Sequence, residues 1–300
     1  MAARGEPIAA EAELRDVLAA RLRVLGPDHP DTLTTRQDIA LQMTLQGNHA
    51  AAEAEYRDVL ATELRVLRPD HPITLLTRHN LAVEISEQGN HAAAEAEFRD
   101  VLAAELRVLG PDHPLTLVTR HCIALQLAGQ GNHAAAEAEH RDVLAVRLRV
   151  LGPDHPETLT TQYSIAQEIA GQGNHTAAEA EFRDVLAVRL RVFGPDHPGT
   201  LSTRHYIALE MAAQGNHTAA EAEFRDVLAV RLGVLGPDHP STLTTRHSIA
   251  LEIAGQGNHT AAEAEFRDVL AARLRVLGPD HPDTQETSSW IGYLARQTNA

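Results

Sequence analysis

The sequence predicts an all-α solenoid, about 14 helices stacked as tandem hairpins. Three observations carry this. The pentapeptide Gly-Pro-Asp-His-Pro stands at 26–30, 110–114, 152–156, 194–198, 236–240 and 278–282, and a seventh copy at 68–72 begins with Arg68. Consecutive copies are 42 residues apart without exception. A Gly-Asn pair recurs inside every interval, at Gly47-Asn48, Gly89-Asn90, Gly131-Asn132, Gly173-Asn174, Gly215-Asn216 and Gly257-Asn258. Between these marks the apolar residues follow helical spacing, and no stretch alternates with the period of a strand.

The unit 240–282 shows how each element arises. Pro240 suits the first helical turn, where a missing N–H costs nothing. Leu243, Ile249, Ala250 and Ile253 then recur at helical spacing, which predicts a first helix, A, over 240–256. Gly257 supplies the left-handed conformation past a helix end, and Asn258 is a cap for the next helix. The second helix, B, runs from about His259 to Leu277 on the stripe Ala262, Phe266, Val269, Leu270, Leu274 and Leu277. Glu263 stands four residues before Arg267, the favourable order for an exposed ion pair. Pro279 ends the helix.

The same hairpin is expected six times over 30–277. An unpaired B helix at 6–25, carrying Ala10, Leu14 and Val17, precedes them, and an unpaired A helix at 282–298 follows. Residues 1–300 then read as a single superhelical domain, because no linker is long enough to divide it.

Composition limits the function. The 300 residues carry 26 basic and 41 acidic side chains, a formal charge of −15, and every basic residue is Arg. An acidic chain is a poor match for nucleic acid or for an anionic membrane. Lys-free, Ala- and Arg-rich sequence is typical of G+C-rich bacterial genomes and points to an actinobacterial source. The single Cys122 leaves no intramolecular disulfide and no thiolate metal cluster. No apolar run reaches membrane-spanning length, and Met1-Ala2-Ala3-Arg4 opens no apolar leader, so the expected compartment is the cytoplasm.

The A-helix residues Ile249, Ala250 and Ile253, the turn Gly257-Asn258-His259, and the B-helix residues Ala262, Phe266 and Val269 resemble the tetratricopeptide repeat signature, lengthened from 34 residues to 42. This long form is similar to the repeats of kinesin light chain and of actinobacterial regulatory proteins. The resemblance implies a right-handed α-solenoid and a non-enzymatic protein-interaction scaffold without cofactors. It also implies that the A helices line a concave groove that binds a peptide or partner segment. Where the family often has Trp, this chain has Arg36, Arg78, Arg120, Arg204 and Arg246, with Gln162 in the fourth hairpin; these are expected as surface-facing stems. His140 replaces the aromatic residue found at Tyr56, Phe98, Phe182, Phe224 and Phe266. Lys is absent and Asn80 alone matches a carboxylate-clamp position, so an acidic chaperone tail is not the expected partner.

Eighteen histidines raise the question of a metal. Those of the Asp-His-Pro and Gly-Asn-His motifs recur once per repeat, too far apart to share an ion, so Asp or His of the first motif is expected to cap the following A helix. A second series, His79, His121, His205 and His247, with Gln37 and Tyr163 in register, is placed on the groove. With Asn80, Val83, Leu125, Gln167, Tyr206, Leu209 and Leu251 it forms the candidate partner-binding surface, and binding is expected to vary with pH near the ordinary histidine value of about 6.5. The acidic series Glu84, Glu168, Glu210 and Glu252 reads as a solvated face. Ser, His and Asp occur only in repeat-wide copies, so no nucleophile–base cluster is expected. Two other functions remain open: a ligand-sensing module separated from its effector, and a self-assembling repeat whose terminal helices meet head to tail.

Overall fold

The computed structural model describes residues 2–298, and among these it forms fourteen helices and no strand. They fall into two compact units divided at Gly152/Pro153. The first unit holds α1 (Ala2–Val24), α2 (Pro30–Leu45), α3 (His49–Val66), α4 (Pro72–Glu87), α5 (His91–Val108), α6 (Pro114–Gly129) and α7 (His133–Val150). The second holds α8 (Pro156–Gly171), α9 (His175–Phe193), α10 (Pro198–Ala213), α11 (His217–Val234), α12 (Pro240–Gly255), α13 (His259–Val276) and α14 (Pro282–Thr298). Within each unit every helix packs on the next in sequence, the arrangement of an α-solenoid. Helix α1 begins four residues before the expected boundary at residue 6, and the A and B helices end within a residue of the expected positions.

Two backbone devices set the hairpins. At each inner turn Gly adopts positive φ, +83° at Gly257. Gly257 N–H donates to Ala254 O and Asn258 N–H to Ile253 O, the paired bonds of a Schellman motif. Asn therefore contributes its backbone. Its side chain caps the next helix only at Asn258, where Oδ1 accepts from Ala261 N–H at 3.3 Å, and makes no cap bond at the other five turns. At the joints His is the cap. Nδ1 of His29, His71, His113, His155, His197, His239 and His281 accepts the backbone N–H two residues on, at 3.1–3.3 Å.

The core is narrow and made of small side chains. Ala208, Ala220, Phe224 and Ile249 form one buried cluster, and Ala250, Ala262, Phe266 and Leu294 another. Alanine on both faces allows close helix approach, and the B-helix aromatic fills the remaining space. Leu274, expected on the buried B stripe, is exposed; the tighter Ala262–Phe266–Val269 face takes the contact. Glu263 and Arg267 form the expected ion pair at 2.6 Å.

Phe224→Ala is expected to cost about 3–5 kcal/mol. Because repeat arrays open locally, hydrogen exchange should report the loss first in α10 and α11, with α1 and α2 unchanged.

Candidate functional site

The second histidine series lies on the A helices, and its rings turn inward against the B-helix aromatic of the same hairpin. His79 meets Phe98 edge-on at 5.1 Å between centroids, Tyr163 meets Phe182 at 5.3 Å, His205 meets Phe224 at 4.9 Å and His247 meets Phe266 at 5.1 Å. His121 meets His140, which stands in the aromatic position, at 4.8 Å. His205 and His247 are 6% and 4% exposed, and His79, His121 and Tyr163 are half-buried. These rings are a floor more than a fringe.

Burial decides their charge. Desolvation pushes His205 down to about 3, with the Arg231 guanidinium adding to it. It pushes His121 to about 3, helped by His140 and Arg147. His140 and His247 come to about 4, again through burial first and then Arg147 or Arg273. His79 is lowered by burial alone. The expectation of a groove titrating near the ordinary histidine pKa is thus corrected: His121, His140, His205 and His247 stay neutral through the mildly acidic range.

Two further expectations change. Glu84, Glu168, Glu210 and Glu252 are buried and not solvated. The turn histidine of the preceding hairpin reaches them: His49 Nδ1 lies 3.0 Å from Glu84, His175 lies 2.8 Å from Glu210, and His217 lies 2.8 Å from Glu252. The Gly-Asn-His motif thereby clasps one hairpin to the next. The arginines at 36, 78, 120, 204 and 246 are not free stems either. Each pairs with a B-helix glutamate nineteen residues on, as in Arg120–Glu139 at 2.6 Å and Arg204–Glu223 at 2.6 Å.

One buried polar position escaped the sequence reading. In α9, α11 and α13 it carries Arg189, Arg231 and Arg273, all buried. Each Nη1 donates to a backbone carbonyl and a threonine hydroxyl of the following A helix; for Arg231 these are Ser241 O at 2.9 Å and Thr245 Oγ1 at 2.6 Å. In α3 and α5 the same position carries Glu63 and Glu105, whose carboxyls burial raises above their ordinary range. The signal available in the sequence was recurrence every 42 residues, but amphipathic periodicity assigns an Arg or Glu there to solvent.

Two cavities open beside these residues. In the second unit a space of about 480 Å³ is lined by His205, Tyr206, Leu209, Arg231, His247 and Leu251, among others. In the first unit a mostly apolar space of about 270 Å³ is lined by residues that include Leu76, His79, Asn80, Glu105, Leu115 and Val118. The structure thus brings together seven of the candidate residues in two places. His121, Val83, Leu125, Tyr163 and Gln167 line neither cavity: Val83 packs on the first unit's core, Leu125 is exposed, and Tyr163 meets Tyr206 edge-on at 5.3 Å between centroids. Among the described residues no group of three metal-binding side chains converges, and no helix is long and apolar enough to cross a membrane.

Sequence comparison matches the tetratricopeptide repeat family over 1–62, 38–104 and 169–232 in one form, and over 116–157 and 242–283 in another. The chain belongs to the tetratricopeptide repeat family. Among solved structures, a kinesin light chain protein of Podosopora anserina with nearly identical TPR-like repeats is similar at 25% identity, covering 68% of this chain and 97% of that one with a TM-score of 0.57. A tetratricopeptide repeat protein of Parabacteroides merdae shares the fold at 15% identity, covering 98% and 100% with a TM-score of 0.67. A Rap protein complexed with competence and sporulation factor shares it at 10% identity, covering 96% and 86% with a TM-score of 0.55. No curated protein matches. The tetratricopeptide array is of the kinesin-light-chain type, the fold commonly used as a protein-interaction scaffold.

The buried histidines of this array have a consequence for stability. Their folded pKa values lie below the unfolded value, so between about pH 6.5 and 4 the unfolded chain binds more protons and stability falls on acidification. His140→Phe, which restores the aromatic residue of the sibling repeats, is expected to remove part of that slope, on the order of 1 kcal/mol at pH 5. Denaturant midpoints measured at pH 5 and pH 7.5 check this; an unchanged slope would refute it.

Proposed function

We propose that this array is a non-enzymatic scaffold whose A-helix face binds an extended segment of a partner protein. The observation that carries the reading is the cavity in the second unit. There His205, Tyr206 and Leu209 of one A helix meet His247 and Leu251 of the next across a space of about 480 Å³. A peptide laid over such a face finds shallow apolar contacts from Leu209 and Leu251. It also finds hydrogen-bonding groups from Tyr206 and Ser248, the mixture that suits an extended chain. His79, Asn80, Val83, His121, Leu125, Tyr163 and Gln167 belong to the same proposed surface. The neutral buried imidazoles act as its rigid floor, and the half-buried leucines and tyrosine as its contacts. The Rap protein, similar in fold alone, is complexed with a competence and sporulation factor; that fold therefore accommodates a bound factor.

That residues 1–300 act as one superhelical domain is part of the same proposal. The 42-residue spacing runs unbroken from Gly110 through Gly152 to Gly194, which supports it. Head-to-tail self-association through α1 and α14 is a second reading, supported by the exposed apolar side chains Val17 and Tyr293.

Peptides selected from a displayed random library against the intact protein test the first reading. Leu209→Glu with Leu251→Glu is expected to weaken the selected peptides by roughly tenfold or more, with helicity unchanged by circular dichroism. Affinities that do not move would place the binding surface elsewhere. For self-association, sedimentation at rising concentration should show a growing mass that Tyr293→Glu abolishes, and a constant monomer mass would exclude it.

A further inference from the structure

The cavity beside Glu105 is the counterpart of a place that arginine fills in other repeats. Arg21, Arg189, Arg231 and Arg273 occupy one register position on their B helices. In each, Nη1 lies 2.7–2.9 Å from the carbonyl oxygen ten residues on and 2.6–2.7 Å from the threonine hydroxyl fourteen residues on. Glu105 holds that position in α5, and the corresponding acceptors are Leu115 O and Thr119 Oγ1. Glutamate is shorter than arginine and donates nothing: the Thr119 hydroxyl donates to the Glu105 carboxyl, and the guanidinium that bridges the carbonyl and the threonine in the sibling repeats is missing.

This niche combines a buried, incompletely bonded carboxyl with a cavity and with a different facing residue from that at the sister position Glu63. Glu105 is 3% exposed, and its Oε2 has no hydrogen-bond partner. A buried carboxylate oxygen without a donor is a costly arrangement. Around it lies a space of about 270 Å³ walled largely by apolar side chains, of which Leu76, Val108 and Leu115 are also exposed to solvent. At the sister position Glu63, Oε2 is likewise without a partner, but Gln37 Nε2 reaches in and donates to Glu63 Oε1 at 2.8 Å and to Thr77 Oγ1 at 2.5 Å. His79 replaces that glutamine at Glu105, and its Nδ1 lies 3.3 Å from Thr119 Oγ1.

We propose that the cavity beside Glu105 is a subsite for an arginine side chain of a partner protein. The guanidinium takes the place that the array's own arginine holds in the sibling repeats, between Glu105 Oε2, Leu115 O and Thr119 Oγ1. The aliphatic stem lies against Leu76, Val108 and Val118. The planar fork of a guanidinium matches one carboxylate and two further acceptors better than an ammonium point charge does. A chain of formal charge −15 also draws a basic segment towards it. Burial raises the Glu105 carboxyl above its ordinary range, and a bound cation beside it would favour its charged form. The proposal rests on the reading of the A-helix face as the partner-binding surface and names one side chain of that partner.

Methyl NMR of the full chain titrated with N-acetyl-arginine-N-methylamide tests the subsite by itself. Saturable shifts are expected at the Leu76, Leu115 and Val118 methyls. They should be weaker by roughly tenfold or more in Glu105→Gln and absent in Glu105→Arg, whose own guanidinium fills the niche. The lysine analogue should bind roughly tenfold more weakly than the arginine one. No saturable shift in the wild type, shifts unchanged in Glu105→Gln, or equal binding of the lysine analogue would each overturn the assignment. A short peptide with arginine between two leucines should bind more tightly than the blocked amino acid; equal affinity would make this a site for a small guanidinium compound and overturn the partner. Retained methyl dispersion confirms that each variant folds, and Glu105→Gln decides if Glu105→Arg does not. A failure here leaves the peptide-binding reading standing, because that reading is tested on Leu209 and Leu251 in the other unit.

Discussion

Everything in this fold depends on the joint between hairpins, where a left-handed glycine, a proline and a capping histidine act within five residues. Gly278 at φ +90° turns the chain out of helix B, and Pro282 starts helix A with no N–H to lose. His281 Nδ1 satisfies the N–H of Asp283 at 3.2 Å. The contacts between hairpins rest on alanines such as Ala250 and Ala262. Contacts that close tolerate little error in register. A joint of fixed length and geometry supplies that accuracy, and a change in its length would displace the alanine contacts that follow.

Uniform joints also determine where polar groups can go. The turn histidine and the A-helix glutamate are brought together in each unit because both keep register, as His49 does with Glu84 and His217 with Glu252. The buried B-helix position is tied the same way to a carbonyl and a threonine of the next hairpin. Such ties are worth little if incomplete and much if every partner is present. Arg231 is anchored by Ser241 O and Thr245 Oγ1, whereas Glu105 keeps an oxygen without a donor. Glutamate in place of that arginine, with His79 facing it where Gln37 faces Glu63, accompanies a cavity in place of a structural anchor. That gives individual character to an array of near-copies.

The helices, their boundaries and the two kinds of turn were legible because proline, glycine and the 42-residue spacing act locally. The exposed pair Glu263–Arg267 was legible for the same reason, since both ends lie on one helix. Residues whose surroundings come from a different hairpin were not. Glu84 and Glu210 look solvated on their own helices and are covered by a histidine thirty-five residues earlier. Arg189, Arg231 and Arg273 look like surface arginines and are buried. His205 and His247 sit in the expected register, yet their rings point to Phe224 and Phe266 and stay neutral.

By itself, then, the sequence determined the hairpin, its repetition and the register, since each follows from backbone preference and apolar spacing within a few turns of chain. Tertiary structure alone decided which polar side chains are buried, which histidines are held neutral, and where a cavity remains. Those outcomes depend on desolvation and on partners supplied by the neighbouring hairpin. The pentapeptide joint makes that neighbour predictable in position, but only the packed helices show what it covers.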